Sequence, residues 1–145
     1  MLASIRAKAE PVCDLWVPAN AGAVRFARRR ARSDLVDAGY PREGLADVDL
    51  VLGEMVANAV DHGCSGLGRA RLRVAADGPH LLVAVSDPSP RPPEISEADP
   101  EQESGRGMFL VAAVADTWGV IAHRFRAGKT VWALCTVPTP GHTIR

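Results

Sequence analysis

The chain has 145 residues, 47% hydrophobic and 23% charged, which is the balance of one soluble globular domain with enough length for a core. Seventeen basic and seventeen acidic residues give a formal net charge of zero, so no global field argues for nucleic acid or a membrane surface as partner. The three cysteines, Cys13, Cys64 and Cys135, have no framework spacing; with no bilayer-length apolar run and no signal-peptide pattern, a reduced, cytoplasmic protein is expected.

In chain order, residues 1–11 read as a flexible lead-in and Cys13 to Val17 as a short edge strand closed by Pro18. Residues 20–38 read as a helix with Gly39 as its stop. Arg25, Arg28, Arg29, Arg30 and Arg32 crowd that helix, and without interleaved aromatics they read as a solvated face rather than a nucleic-acid patch. A loop at 41–44 precedes a second helix over 45–62, stopped by Gly63. Residues 69–75 alternate, with Arg69, Arg71 and Arg73 on one face and Ala70, Leu72 and Val74 on the other, as in a half-buried antiparallel strand. Asp77-Gly78-Pro79 turns the chain into a more apolar strand from His80 to Ser86, forming a hairpin. Residues 88–103 hold five prolines and five acids without periodicity and read as a long lid. A helix over 108–115 follows, then strands over 117–125 and 130–137 joined around Gly128. The expected fold is a two-layer α/β sandwich, a mixed, mostly antiparallel sheet with helices on one face, spanning 12–137 before a loose tail at 138–145.

Three places could carry chemistry. On a helix of about 100° per residue, Asp47, Glu54, Asn58 and Asp61 share a narrow arc, while Val48, Leu52, Met55 and Ala59 share another roughly 120° away. Oxygen ligands so spaced suit a hard cation such as Mg²⁺, with a carboxylate left for proton abstraction; a wet polar face is the plain alternative. Ser104-Gly105-Arg106-Gly107 leads into the apolar helix beginning at Met108. It can present backbone N–H groups, a helix dipole and a guanidinium to an anion, or simply be a capped, flexible helix entry. Asp87, at a strand end before Pro88, can accept a hydrogen bond from an exocyclic amine, or can merely start a turn. Gly128-Lys129-Thr130 is not a P-loop, because His123 stands where the earlier glycine belongs and a strand, not a helix, follows. His62-x-Cys64 has no second pair to complete a zinc site.

Taken in order, Glu54-x-x-x-Asn58-Ala59-x-x-His62-Gly63, a strand ending in Asp87, a long lid and Gly105-Arg106-Gly107-Met108 resemble the GHKL ATP-binding superfamily of gyrase, the heat-shock 90 chaperone, histidine kinases and MutL. Within it the chain is most similar to the small, single-domain anti-sigma factor serine kinases. Asp116-x-Trp118-Gly119 and Gly128-Lys129-Thr130-Val131-Trp132 resemble the actinobacterial branch. The resemblance implies a Bergerat-type ATP site: Asn58 holding Mg²⁺, Glu54 as base on a serine hydroxyl, and Asp87 bonding the adenine amine. Gly105, Arg106 and Gly107 would hold the phosphates. Asp61, His62, Met108 and Thr130 complete the implied ATP-binding set. It also implies a homodimer whose partners are an RNA polymerase sigma factor and a STAS-domain anti-anti-sigma factor, with no direct DNA binding. One departure stands out. The family places glycine two and four residues after its adenine-binding Asp, where this chain has Ser89 and Arg91. The alternative is therefore a degenerate domain that binds the same partners without productive use of ATP.

Overall fold

The computed structural model describes residues 7–64, 68–91 and 106–138. Five strands form one sheet: β1 (Glu10–Pro18), β2 (Arg69–Asp77), β3 (His80–Asp87), β4 (Thr117–Ala122) and β5 (Lys129–Thr136). Their spatial order is β1-β2-β3-β5-β4 and every pairing is antiparallel. Three helices, α1 (Ala23–Asp37), α2 (Ala46–Asn58) and α3 (Arg106–Val114), complete the expected α/β sandwich.

Period-two alternation decides which sheet residues meet the helices. Cys13, Leu15 and Val17 of β1, Ala70, Leu72 and Val74 of β2, Leu81, Val83 and Val85 of β3, and Val131, Ala133 and Cys135 of β5 are all buried in one core. The arginines of β2 take the other face, as their alternation predicts. There Arg71 grips Asp14 with two hydrogen bonds of 2.9 and 2.7 Å, and Arg69 and Arg71 lie 5.1 and 5.6 Å from the Trp16 ring centroid.

α1 buries Ala23, Ala27, Ala31 and Leu35, a stripe at helical spacing whose small side chains let the helix lie close to its neighbours. It ends where predicted. Gly39 adopts φ 100°, its N–H bonds Val36 O and Tyr40 N–H bonds Leu35 O, which satisfies the last carbonyls. α2 buries Val48, Val51, Leu52, Gly53, Met55 and Val56, more than one stripe, because α1, α3 and the sheet all pack on it. A side-chain carbon on Gly53 would come 3.0 Å from Arg28 Cδ, so the glycine gives the Arg28 stem room to cross α2 on its way to Asp49. Asp49 is buried on the same helix and sits between Arg28 at 2.6 Å and Arg32 at 2.9 Å. Part of the arginine cluster on α1 thus ties α1 to α2 rather than facing only water.

Several boundaries differ from the sequence reading, among them the start of α1 at Ala23 and of α3 at Arg106, and three bear on the site and the sheet. The second helix does not run regularly to residue 62. It widens after Asn58 into a π-helical turn, Ala59–Gly63, where Cys64 N–H reaches Ala59 O, five residues back. β4 stops at Ala122 instead of Phe125, because His123 N–H bonds Gly128 O and closes the hairpin early, with Gly128 at φ 121°. β1 begins at Glu10, inside the stretch read as a lead-in. Most of the lid, the tail beyond Pro138 and Gly105 lie outside the described residues.

Candidate functional site

α3 packs against α2, and the π-helical turn that continues α2 packs against β3. α2 runs through the core, and its polar arc is exposed at Asp47 near its start and emerges again toward its end. Glu54 and Asn58 are half-buried there, whereas Asp61 and His62 are exposed on the π-helical turn. Glu54 faces α3 directly. A methyl carbon placed on Gly107 would lie 2.7 Å from Glu54 Oε2, so glycine at 107 is what lets the carboxylate reach the backbone of the first helical turn. Met108, next in sequence, is 1% exposed and anchors that turn in the core. The first described turn of α3 and the Glu54 carboxylate are thereby juxtaposed. Glu54 also lines a 310 Å³ groove between α1 and α2 with Arg28, Asp49, Gly53 and Ala57.

Asp87 ends β3 on the helix-facing side, continuing the alternation of Leu81, Val83 and Val85. Its side chain is 1% exposed. Oδ1 accepts from Ser89 N–H at 2.8 Å and from Lys129 Nζ at 3.0 Å, while Oδ2 is buried with no hydrogen-bond partner among the described residues. A buried carboxylate oxygen is costly to leave bare, so a donor from a bound molecule fits this atom. Cys64, which ends the π-helical turn, lies beside it: burial pushes the Cys64 thiol up, and the Asp87 charge adds to that. Gly68 packs on Pro88 and Cys64 at the same place.

Gly107 thus meets Glu54 near the end of α2, and Asp87 meets Cys64 at the end of the π-helical turn that continues it. Thr130 does not join them. It faces the helix-free side of the sheet, sharing a 2.7 Å hydrogen bond with Ser86 and a 3.0 Å one with His123 Nε2. The strand period explains this: Thr130 lies out of phase with the inward Val131, Ala133 and Cys135. The inward position is its neighbour Lys129, 4% exposed, which the sequence reading met as part of a rejected P-loop and of the actinobacterial resemblance but gave no role at the site. Counting back by two from Val131 would have found it.

Residues 17–134 match the family described as Histidine kinase-like ATPase domain, and the chain belongs to that family. The expected GHKL-type architecture is therefore borne out. An uncharacterized protein of Streptomyces coelicolor is 40% identical over 70 residues, a stretch that covers 46% of this chain and 66% of that protein. Among solved structures, the RsbU and RsbW domains of a Mycobacterium tuberculosis protein superpose with a TM-score of 0.60 at 19% identity, covering 94% of this chain and 34% of that one. A chain of the SiaB–SiaC complex from Pseudomonas aeruginosa superposes with a TM-score of 0.62 at 18% identity, covering 92% of this chain and 94% of that one. At those identities the likeness is one of fold. Among the described residues no helix is long and apolar enough to cross a membrane.

Proposed function

We propose that the chain is a regulatory ATP-binding protein, an anti-sigma factor with serine kinase activity toward a STAS-type anti-anti-sigma factor. The observation that carries this reading is the contact between Glu54 and Gly107, a candidate base held against a candidate phosphate-binding turn. In it, Asp87 Oδ2 accepts from the adenine amine, and the α3 N-terminus donates to the phosphates together with Arg106. Asn58 offers the one protein oxygen a Mg²⁺ ion needs when phosphates and water supply the others. Glu54 takes the proton of a partner serine as that oxygen bonds to the γ-phosphorus and the bridge to the β-phosphate breaks. Such transfer needs chiefly positioning and charge neutralisation. A sigma factor and the STAS-type protein are the proposed partners, and a homodimer the proposed assembly.

A second reading, a partner-binding module without productive ATP use, draws on Ser89 and Arg91. Ser89 N–H is spent on Asp87, and side chains replace the family's glycines where the backbone would approach a base. Labelled ATP with Mg²⁺ and candidate STAS proteins separates the two. Transfer is expected in wild type and absent in Glu54→Ala, which still binds nucleotide, and Asn58→Ala is expected to weaken Mg·ATP binding. Partner binding indifferent to ATP and to both substitutions would establish the module instead.

A further inference from the structure

Lys129 is the charged group at this site that the proposed chemistry leaves unused. The antiparallel register sets it opposite Asp87, and the two side chains are only 5% and 1% exposed. Its ammonium donates to Asp87 Oδ1 at 3.0 Å and to Ser89 O at 3.2 Å, while Ser89 N–H donates to the same Oδ1 at 2.8 Å. Lys129 and Ser89 thus close a clasp over Pro88. Oδ1 holds two donors, one of them a cation; Oδ2 is buried and holds none among the described residues. Turning the carboxylate plane away from this orientation would break both bonds to Asp87 and leave the ammonium only Ser89 O, whereas a half-turn merely exchanges two equivalent oxygens, so one orientation of the plane is selected.

We infer that Lys129 is a positioning residue for base selection: it aims the single free oxygen of Asp87 at an exocyclic amine, so that the site prefers a 6-aminopurine nucleotide. This rests on the nucleotide-binding reading above. Where the family uses glycines after its Asp, this chain holds the same segment by a charged cross-strand clasp. The ammonium does not touch the base. It acts by occupying Oδ1, which leaves Oδ2 as the oxygen that faces the base and discriminates against a purine lacking the amine.

The test is equilibrium titration of the full chain with Mg²⁺ against ATP and against purine riboside triphosphate, which lacks the 6-amino group. Wild type is expected to prefer ATP by about 10-fold or more, the discrimination supplied by one hydrogen bond to a charged acceptor. Lys129→Met is expected to reduce the preference to about 2-fold or less while affinity for the amine-free analogue stays within about 3-fold, a split that general loosening of the fold would not produce. Met strands the buried Asp87 charge and can unfold the chain, so Lys129→Gln, which keeps an N–H donor, carries the same test with an intermediate preference expected. Full preference in these variants overturns the inference. So does tighter ATP binding in either, which would make Lys129 an obstruction in the base subsite. A wild-type chain that binds neither triphosphate overturns the nucleotide reading itself, and this inference with it, a result unlike the others.

Discussion

Gly107→Ala isolates the Glu54 contact from the stability of the fold. The new methyl would lie 2.7 Å from Glu54 Oε2, but 3.5 and 3.6 Å from its Cβ and Cδ, so only the tip of the side chain is in conflict. Ordinary contact requires the carboxylate oxygen to retreat by roughly an ångström, which rotation of a half-buried glutamate provides at small cost. Alanine in the first helical turn offsets this with up to about 1 kcal/mol of helix propensity, so net stability should change by no more than about 1 kcal/mol. Catalysis responds differently, since an ångström of misplacement costs about 100-fold in rate, equivalent to roughly 2.7 kcal/mol of barrier. Thermal unfolding measured beside phosphoryl transfer from labelled ATP gives both quantities. A melting temperature near that of wild type with transfer reduced about 100-fold supports the geometry. Transfer within about 2-fold of wild type would refute the claim that Glu54 works from this position.

Three further outcomes follow from the same structure. Burial pushes the Asp49 carboxyl up, but hydrogen bonds and charge from Arg28 and Arg32 outweigh it and hold the group below the usual carboxylate range. A depressed carboxyl stabilises the fold above its unfolded value of about 4 and loses that contribution as pH falls through the folded value, so melting curves of wild type and Asp49→Asn should differ at pH 7 and converge toward about pH 2–3. The arginines are 46% and 41% exposed, which limits the difference at pH 7 to about 1 kcal/mol; a gap that persists in acid would refute the pairing. Burial, with the Asp34 hydrogen bond second for Cys13 and the Asp116 charge second for Cys135, pushes both thiols up to about 12. A thiol reagent at pH 8 should leave these two unmodified in the native protein and modify all three cysteines in denaturant. Leu52→Ala, at a side chain 1% exposed on the central helix, should cost about 2–5 kcal/mol by denaturant titration, and a loss under about 1 kcal/mol would refute that packing.

Short-range pattern determined the elements. The 3.6-residue stripe of Ala23, Ala27, Ala31 and Leu35, the arginine alternation of β2 and the stop at Gly39 each depend on neighbours a few residues away, so the chain alone dictated them. The order of motifs likewise disclosed the family, because a helix acid and amide, a strand-end Asp and a glycine-flanked helix start are local features. Tertiary structure decided which of them meet. Glu54 meets Gly107 across more than fifty residues, and Asp87 meets Lys129 across forty-two, through helix packing and a strand register that no local period encodes. The same register turned Thr130 away, since side chains on a strand alternate faces and a single position separates the buried cation from the outward hydroxyl.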